Sequence, residues 1–166
     1  MDPKEEWEKE FEVEGKQMTL LPADIVLIKR GTLWMPFAPF VWVWQRVTDS
    51  SVPWSWAYHV EMVWDVVEDG YKALSMQPPL LTIVIRYFDE INASFYRLKD
   101  RPWQMDQIFW GWGNPKIDKE LYILGYNTCG MPVRDFYREK FGVEMSPYPG
   151  PIEKFCQRSD KFIRVI

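Results

Sequence analysis

The sequence predicts an α+β domain with a mostly antiparallel sheet, and three observations carry that prediction. "AYHVEMVWDVV" (57–67) alternates strictly: His59, Glu61, Val63, Asp65 and Val67 share one side, and Val60, Met62, Trp64 and Val66 the other. "EDG" (68–70) is a hairpin turn signal, after which "YKALSMQ" returns as the partner strand. "YNTCGMPVRDFYREKFGV" (126–143) instead sets Val133, Phe136, Tyr137 and Phe141 at helical spacing. Strands and helices in separate stretches give the α+β class.

The elements follow in order. Residues 1–16 read as a helical appendage: Asp2 caps it, Pro3 takes the first helical position, Glu5 completes a capping-box pattern, and Gly15 closes it. Trp7 and Phe11, four apart, give it one apolar face. Residues 17–166 then form one domain, for which a chain of 166 residues is long enough to bury a core. "ADIVLIKR" (23–30) reads as a buried strand and "LWMPFAPFVWVWQRV" as an apolar connection interrupted by Pro36 and Pro39. "PPLLTIVIRYF" and "ASFYRLK" are two further strands separated by "DEIN". A helix is expected over 101–112, closed by Gly113-Asn114-Pro115. After the helix that begins at Cys129 come a proline-rich loop, "SPYPGP", and a last strand, "FIRVI".

Composition excludes several classes. The formal net charge of −4, with no Lys/Arg cluster, argues against nucleic acid as a partner. Two cysteines, Cys129 and Cys156, do not make a disulfide framework, and with one histidine they do not supply a zinc site. No metal or other cofactor is implied. The acidic start "MDPKEEWEKEFEVEGK" has no signal-peptide core, and "LWMPFAPFVWVW" (33–44) is too short to span a bilayer. The expectation is therefore a cytoplasmic protein without a transmembrane segment. Aromatics make up 17% of the residues, enough for a dense core and for flat apolar pocket walls, and "FAPFVWVW" is expected to line a substrate cleft.

One constellation carries chemistry. Pro132 sits in the first turn of the second predicted helix, which leaves Cys129 at the helix N-terminus, where unpaired N–H groups favour a thiolate. The single histidine, His59, lies on the alternating strand. Counting outward from the turn brings Ser75 to Gln77 across from it, and the Gln77 side-chain oxygen is placed to orient the imidazole. Cys156, in "EKFCQRS", has no nearby base and reads as a structural thiol.

The order of "LPADIVLI", "WQRVTDSS", "WAYHVEMVW", a hairpin return, "SFYRLKD" and "YNTCGMPVRDFYREKFG" resembles the circularly permuted papain-like hydrolases. These are the YaeF/YiiX-like and lecithin:retinol acyltransferase-like branch of the NlpC superfamily, and the resemblance covers residues 20–166. It implies a permuted papain-like fold, with Cys129 as nucleophile, His59 as base and part of an oxyanion hole from the Cys129 N–H. For the third polar position it implies Gln77, with Ser75 the nearest alternative. Glu61 and Tyr126 are neighbours of the site. The chain departs from the family pattern at Ala23-Asp24-Ile25, where Gly-Asp-Ile is usual. It also has Glu61 where a small residue is common, and Gly130-Met131 after the cysteine. The implied activity is cysteine-dependent hydrolysis of an amide or acyl bond, on a peptidoglycan-type peptide or a lipid, through a thioester. An acyltransferase using the same thioester, and a non-catalytic module with a residual Cys/His pair, are the alternatives.

Overall fold

Six strands pair into one antiparallel sheet among the residues that the computed structural model describes, which are 19–29, 57–123 and 128–165 with the single positions 43 and 47. The strands are β1 (Ile25–Ile28), β2 (His59–Val67), β3 (Gly70–Gln77), β4 (Leu80–Tyr87), β5 (Ala93–Leu98) and β6 (Phe162–Arg164), ordered β4-β3-β2-β1-β5-β6. A 3₁₀ turn, Phe88–Glu90, joins β4 to β5. Local hairpins build the β2-β3-β4 half, while β1 inserts beside β2 and β5. All four residues of β1 are fully buried, which is why "IVLI" shows no alternation: both faces of the sheet are covered there. The helical appendage (1–16) and the "LWMPFAPFVWVW" run, Val43 apart, lie outside the described residues.

Three helices are described: α1 (Met105–Gly113), α2 (Gly130–Phe141) and α3 (Pro149–Arg158). Their apolar faces close one core with the side of the sheet that carries Ile25, Leu27, Val60, Met62 and Leu74. In that core Phe136 of α2 meets Phe109 and Trp112 of α1 edge-on. Gly113 allows α1 its close approach, because a Cβ there would stand 2.7 Å from the Trp64 ring. The other side of the sheet gathers Val26, Ile28, Val63, Tyr71, Ala73 and Phe95 into a second cluster. Helix α2 ends where expected for its sequence, with Gly142 at φ 63° in the left-handed region.

Helix α3 is a correction. "SPYPGP" does not run on as a loop: Tyr148 is the N-cap and Pro149 opens the helix. Proline costs little in a first turn, whose N–H groups have no intrahelical acceptor, and its fixed φ suits the helix. Cys156 therefore lies within a helix, buried in the core.

The turn into β1 is tied down from several directions. Asp24, fully buried, accepts from Arg97 Nε at 2.9 Å and Nη2 at 2.7 Å, and from the Leu21 N–H at 2.8 Å. Tyr137 of α2 donates to the Ala23 carbonyl at 2.6 Å. Ala23 itself is held at φ 71°, in the region that favours glycine. No helix among the described residues is long and apolar enough to cross a membrane.

Candidate active site

His59 opens β2, paired with Ile28 of β1, and Glu61 follows two residues later on the same side, paired with Val26. Period-2 geometry is what brings the two side chains together. The His59 Nε2 atom lies 2.9 Å from Ser75 Oγ on β3 and 3.2 Å from Glu61 Oε2. All three residues are at most 1% exposed. The Cys129 thiol lies close enough to the His59 ring to act on its charge.

Cys129 is the N-cap of α2, where its local sequence predicts it. Gly130 is required beside it: a Cβ at that position would fall 1.7 Å from the Pro147 carbonyl oxygen. The residue after the cysteine is thus small because the chain packs backbone against backbone there. The start of β2 has a second brace. Glu153 of α3, 1% exposed, accepts the Ala57 N–H at 3.0 Å, two residues before His59.

The thiol and the imidazole do not meet across the face of the sheet. Cys129 packs in the helix-side core with Val60 and Met62, whereas His59 and Glu61 belong by alternation to the side of Val26, Ile28 and Val63. Because His59 is the first residue of β2, its ring meets the helix N-terminus at the strand's end.

Glu61 is the most heavily engaged group in the site. Its Oε1 accepts from Tyr71 Oη at 3.0 Å and Arg86 Nε at 3.1 Å. Its Oε2 accepts from Arg86 Nη2 at 3.0 Å and lies against His59 Nε2. Burial alone would lift this carboxyl, but the hydrogen bond to His59 and the Arg86 charge bring it down to about 2. Burial likewise works against a charged imidazole. The hydrogen bonds and charges of Cys129 and Glu61 outweigh it and raise His59 to about 9. An ionised carboxylate only accepts, so Nε2 carries the proton it shares with Glu61. Burial first, and then the Cys129 charge, push the Tyr122 phenol up to about 12. Burial and the neighbouring Glu153 raise the Cys156 thiol, so it stays protonated.

The structure thus brings together Cys129, His59, Glu61 and Ser75. Gln77 does not join them. It stands half-buried at the end of β3, across from Leu80 of β4, with no hydrogen bond to His59. Continuing the β2–β3 register from Met62↔Leu74 puts Gln77 opposite His59 and Ser75 opposite Glu61. The ring leans along the diagonal to Ser75, a reach cross-strand neighbours permit. Tyr126 lies outside the described residues.

Sequence reasoning did not find Tyr71 and Arg86. The available signal was Arg86 itself, a lone cation in the apolar strand "LLTIVIRY", directly opposite Tyr71. A surface groove of about 630 Å³, lined by Glu144, Met145, Lys154 and Phe155 among others, includes no member of this cluster. Among the described residues no group of three or more His, Cys, Asp or Glu is arranged to hold a metal ion. In comparisons with known proteins, no family model, no curated protein and no solved structure matches the chain.

Proposed function

We propose that the protein is a cysteine-dependent hydrolase with a permuted papain-like fold, acting on an amide or acyl bond through a thioester. The observation that carries this reading is the buried cluster of Cys129, His59 and Glu61, with the thiol at a helix N-terminus, the imidazole hydrogen-bonded to the carboxylate, and its charge favoured by Cys129 and then Glu61. Ala23 lends the resemblance support, since it adopts φ 71° at the position where the family pattern has glycine. The order of elements, with the strand histidine before the helix-capping cysteine, supports it too.

In this reading Cys129 and His59 rest as a thiolate–imidazolium pair. The sulfur attacks the carbonyl carbon, and the developing oxyanion is stabilised by the Cys129 N–H at the positive end of α2. The tetrahedral intermediate collapses as His59 passes its proton to the leaving amine or alcohol, forming the thioester. Neutral His59 then takes a proton from water as the water attacks the thioester, and the tetrahedral intermediate releases the acid and the Cys129 thiolate, restoring the ion pair. Glu61, not Gln77, is the third member: it fixes the ring by Nε2 and favours the imidazolium. With Cys129 4% exposed and His59 1% exposed, the pair is closed in this conformation, so turnover includes an opening step.

The test is acyl-enzyme trapping. Incubated with p-nitrophenyl butyrate and quenched in acid, the protein gains one butyryl group, and peptide mapping places it on Cys129. Cys129→Ala gains none, and Cys156→Ala behaves as wild type. An adduct on Cys156, or none on either cysteine, defeats the proposal.

A further inference from the structure

A fully buried carboxylate has to be held, and Glu61 is held by two residues that no part of the hydrolase reading uses. A carboxylate offers about four acceptor sites, and on Glu61 all four are occupied: two by the Arg86 fork, one by Tyr71 and one by His59. Tyr71 and Arg86 are cross-strand partners on β3 and β4, so one register position delivers both donors. The Tyr71 ring is fixed in turn, edge-on against Phe95 at 5.7 Å and tilted against Phe88 at 6.0 Å. Arg86 is therefore the far end of a buried series that runs from thiol through imidazole and carboxylate to guanidinium. From His59 through Glu61 to Arg86 the charges alternate in sign.

We infer that Arg86, seated beside Tyr71, is the positioning residue of this site: it holds Glu61 ionised in one rotamer and thereby sets the pH range in which Cys129 reacts. The inference rests on the Cys129–His59 pair of the hydrolase reading. The titratable groups around Glu61 are His59 on its own strand, Tyr71 on β3, Arg86 on β4 and Cys129 on α2; Tyr58 lies near Arg86, Ser75 adds a hydroxyl from β3, and β1 contributes only Val26 and Ile28. Arg86 is thus the only permanent cation among them. Without it, Glu61 holds its proton to a higher pH, and a neutral Glu61 no longer supports the imidazolium beside the Cys129 sulfur.

The experiment is the rate of Cys129 carbamidomethylation by iodoacetamide against pH, read by mass spectrometry on the full chain. Arg86→Met is expected to displace the profile to higher pH. A displacement of one pH unit would appear as about a tenfold lower rate on the acid limb. Arg86→Lys keeps the charge but loses the fork, and should recover part of the displacement. Tyr71→Phe keeps the ring contacts and removes one donor, and should move the profile the same way by less. A folded Arg86→Met protein with the wild-type profile overturns the inference, as does an equal displacement in the Lys and Met variants. If Arg86→Met does not fold, wild-type profiles in both Arg86→Lys and Tyr71→Phe overturn it. His59→Ala separates the two layers: if its profile is unchanged, the underlying pair fails. If it moves while the Arg86 and Tyr71 variants do not, only the role of Arg86 fails.

Discussion

Glu61→Gln preserves shape and removes one charge, so it isolates what the buried carboxylate does for the fold. The substitution leaves the Arg86 guanidinium without its anion and presents an amide N–H₂ to donors. Breaking a buried, hydrogen-bonded ion pair in this way costs about 3–5 kcal/mol. Part of that cost depends on pH. His59 is raised from 6.5 to about 9, so its contribution to stability is complete below pH 6.5 and is lost as pH rises through 9. Glu61 is lowered from 4.5 to about 2, so its contribution is present above pH 4.5 and is lost as pH falls through 2. The rise at His59 corresponds to about 3 kcal/mol in all. Cys129 makes the larger favourable contribution to it and Glu61 the next, both against burial. Urea unfolding followed by tryptophan fluorescence should therefore show the variant destabilised by about 3–5 kcal/mol at pH 6, with a smaller deficit at pH 10. A deficit under about 1 kcal/mol at pH 6, or one of equal size at both pH values, would refute the assignment of Glu61 as the charged partner of His59.

Two further outcomes are expected. Gly130→Ala forces a Cβ onto the Pro147 carbonyl, so the start of α2 must shift; the fold should lose about 1–3 kcal/mol in the same urea assay, and Cys129 labelling should slow at every pH. Ser75→Ala removes a hydroxyl 2.9 Å from His59 Nε2 and should lower the rate of butyryl transfer to Cys129, whereas Gln77→Ala should leave it within about twofold of wild type. A larger effect at Gln77 would restore the orienting role that counting from the turn assigns to it.

What the sequence made legible was what depends on neighbours along the chain. The alternation of 57–67, the turn at 68–70 and the helical spacing after Cys129 each express a local period, and each appears as β2, the β2–β3 turn and α2. The helix-capping cysteine and the strand histidine could be named for the same reason. The helix over Pro149–Arg158 was hidden because its prolines carry opposite meanings in a loop and in a first turn, and only the packing of Ile152 and Cys156 decides between them. The third polar group was hidden by a different cause. Counting from the turn sets Gln77 across from the His59 region, but the direction in which a ring leans is set by what else is buried beside it. Here that is a carboxylate fixed from β4, two strands away. Arg86 answers to Glu61 across 25 residues of sequence, beyond the reach of any local pattern.

The braces at Ala57 and Gly130 bear on the order in which the protein is made. His59 and Cys129 are both steadied by residues synthesised after them: Glu153 holds the lead-in to β2 across 96 positions, and Pro147 closes against Gly130. A chain emerging from the ribosome can complete the β2-β3-β4 meander early, from short-range hairpin contacts, while its histidine and cysteine still lack their supports. Both supports arrive only once the segment around 147–153 has docked. In the hydrolase reading chemical competence is thereby a late event, absent from a nascent or C-terminally clipped chain.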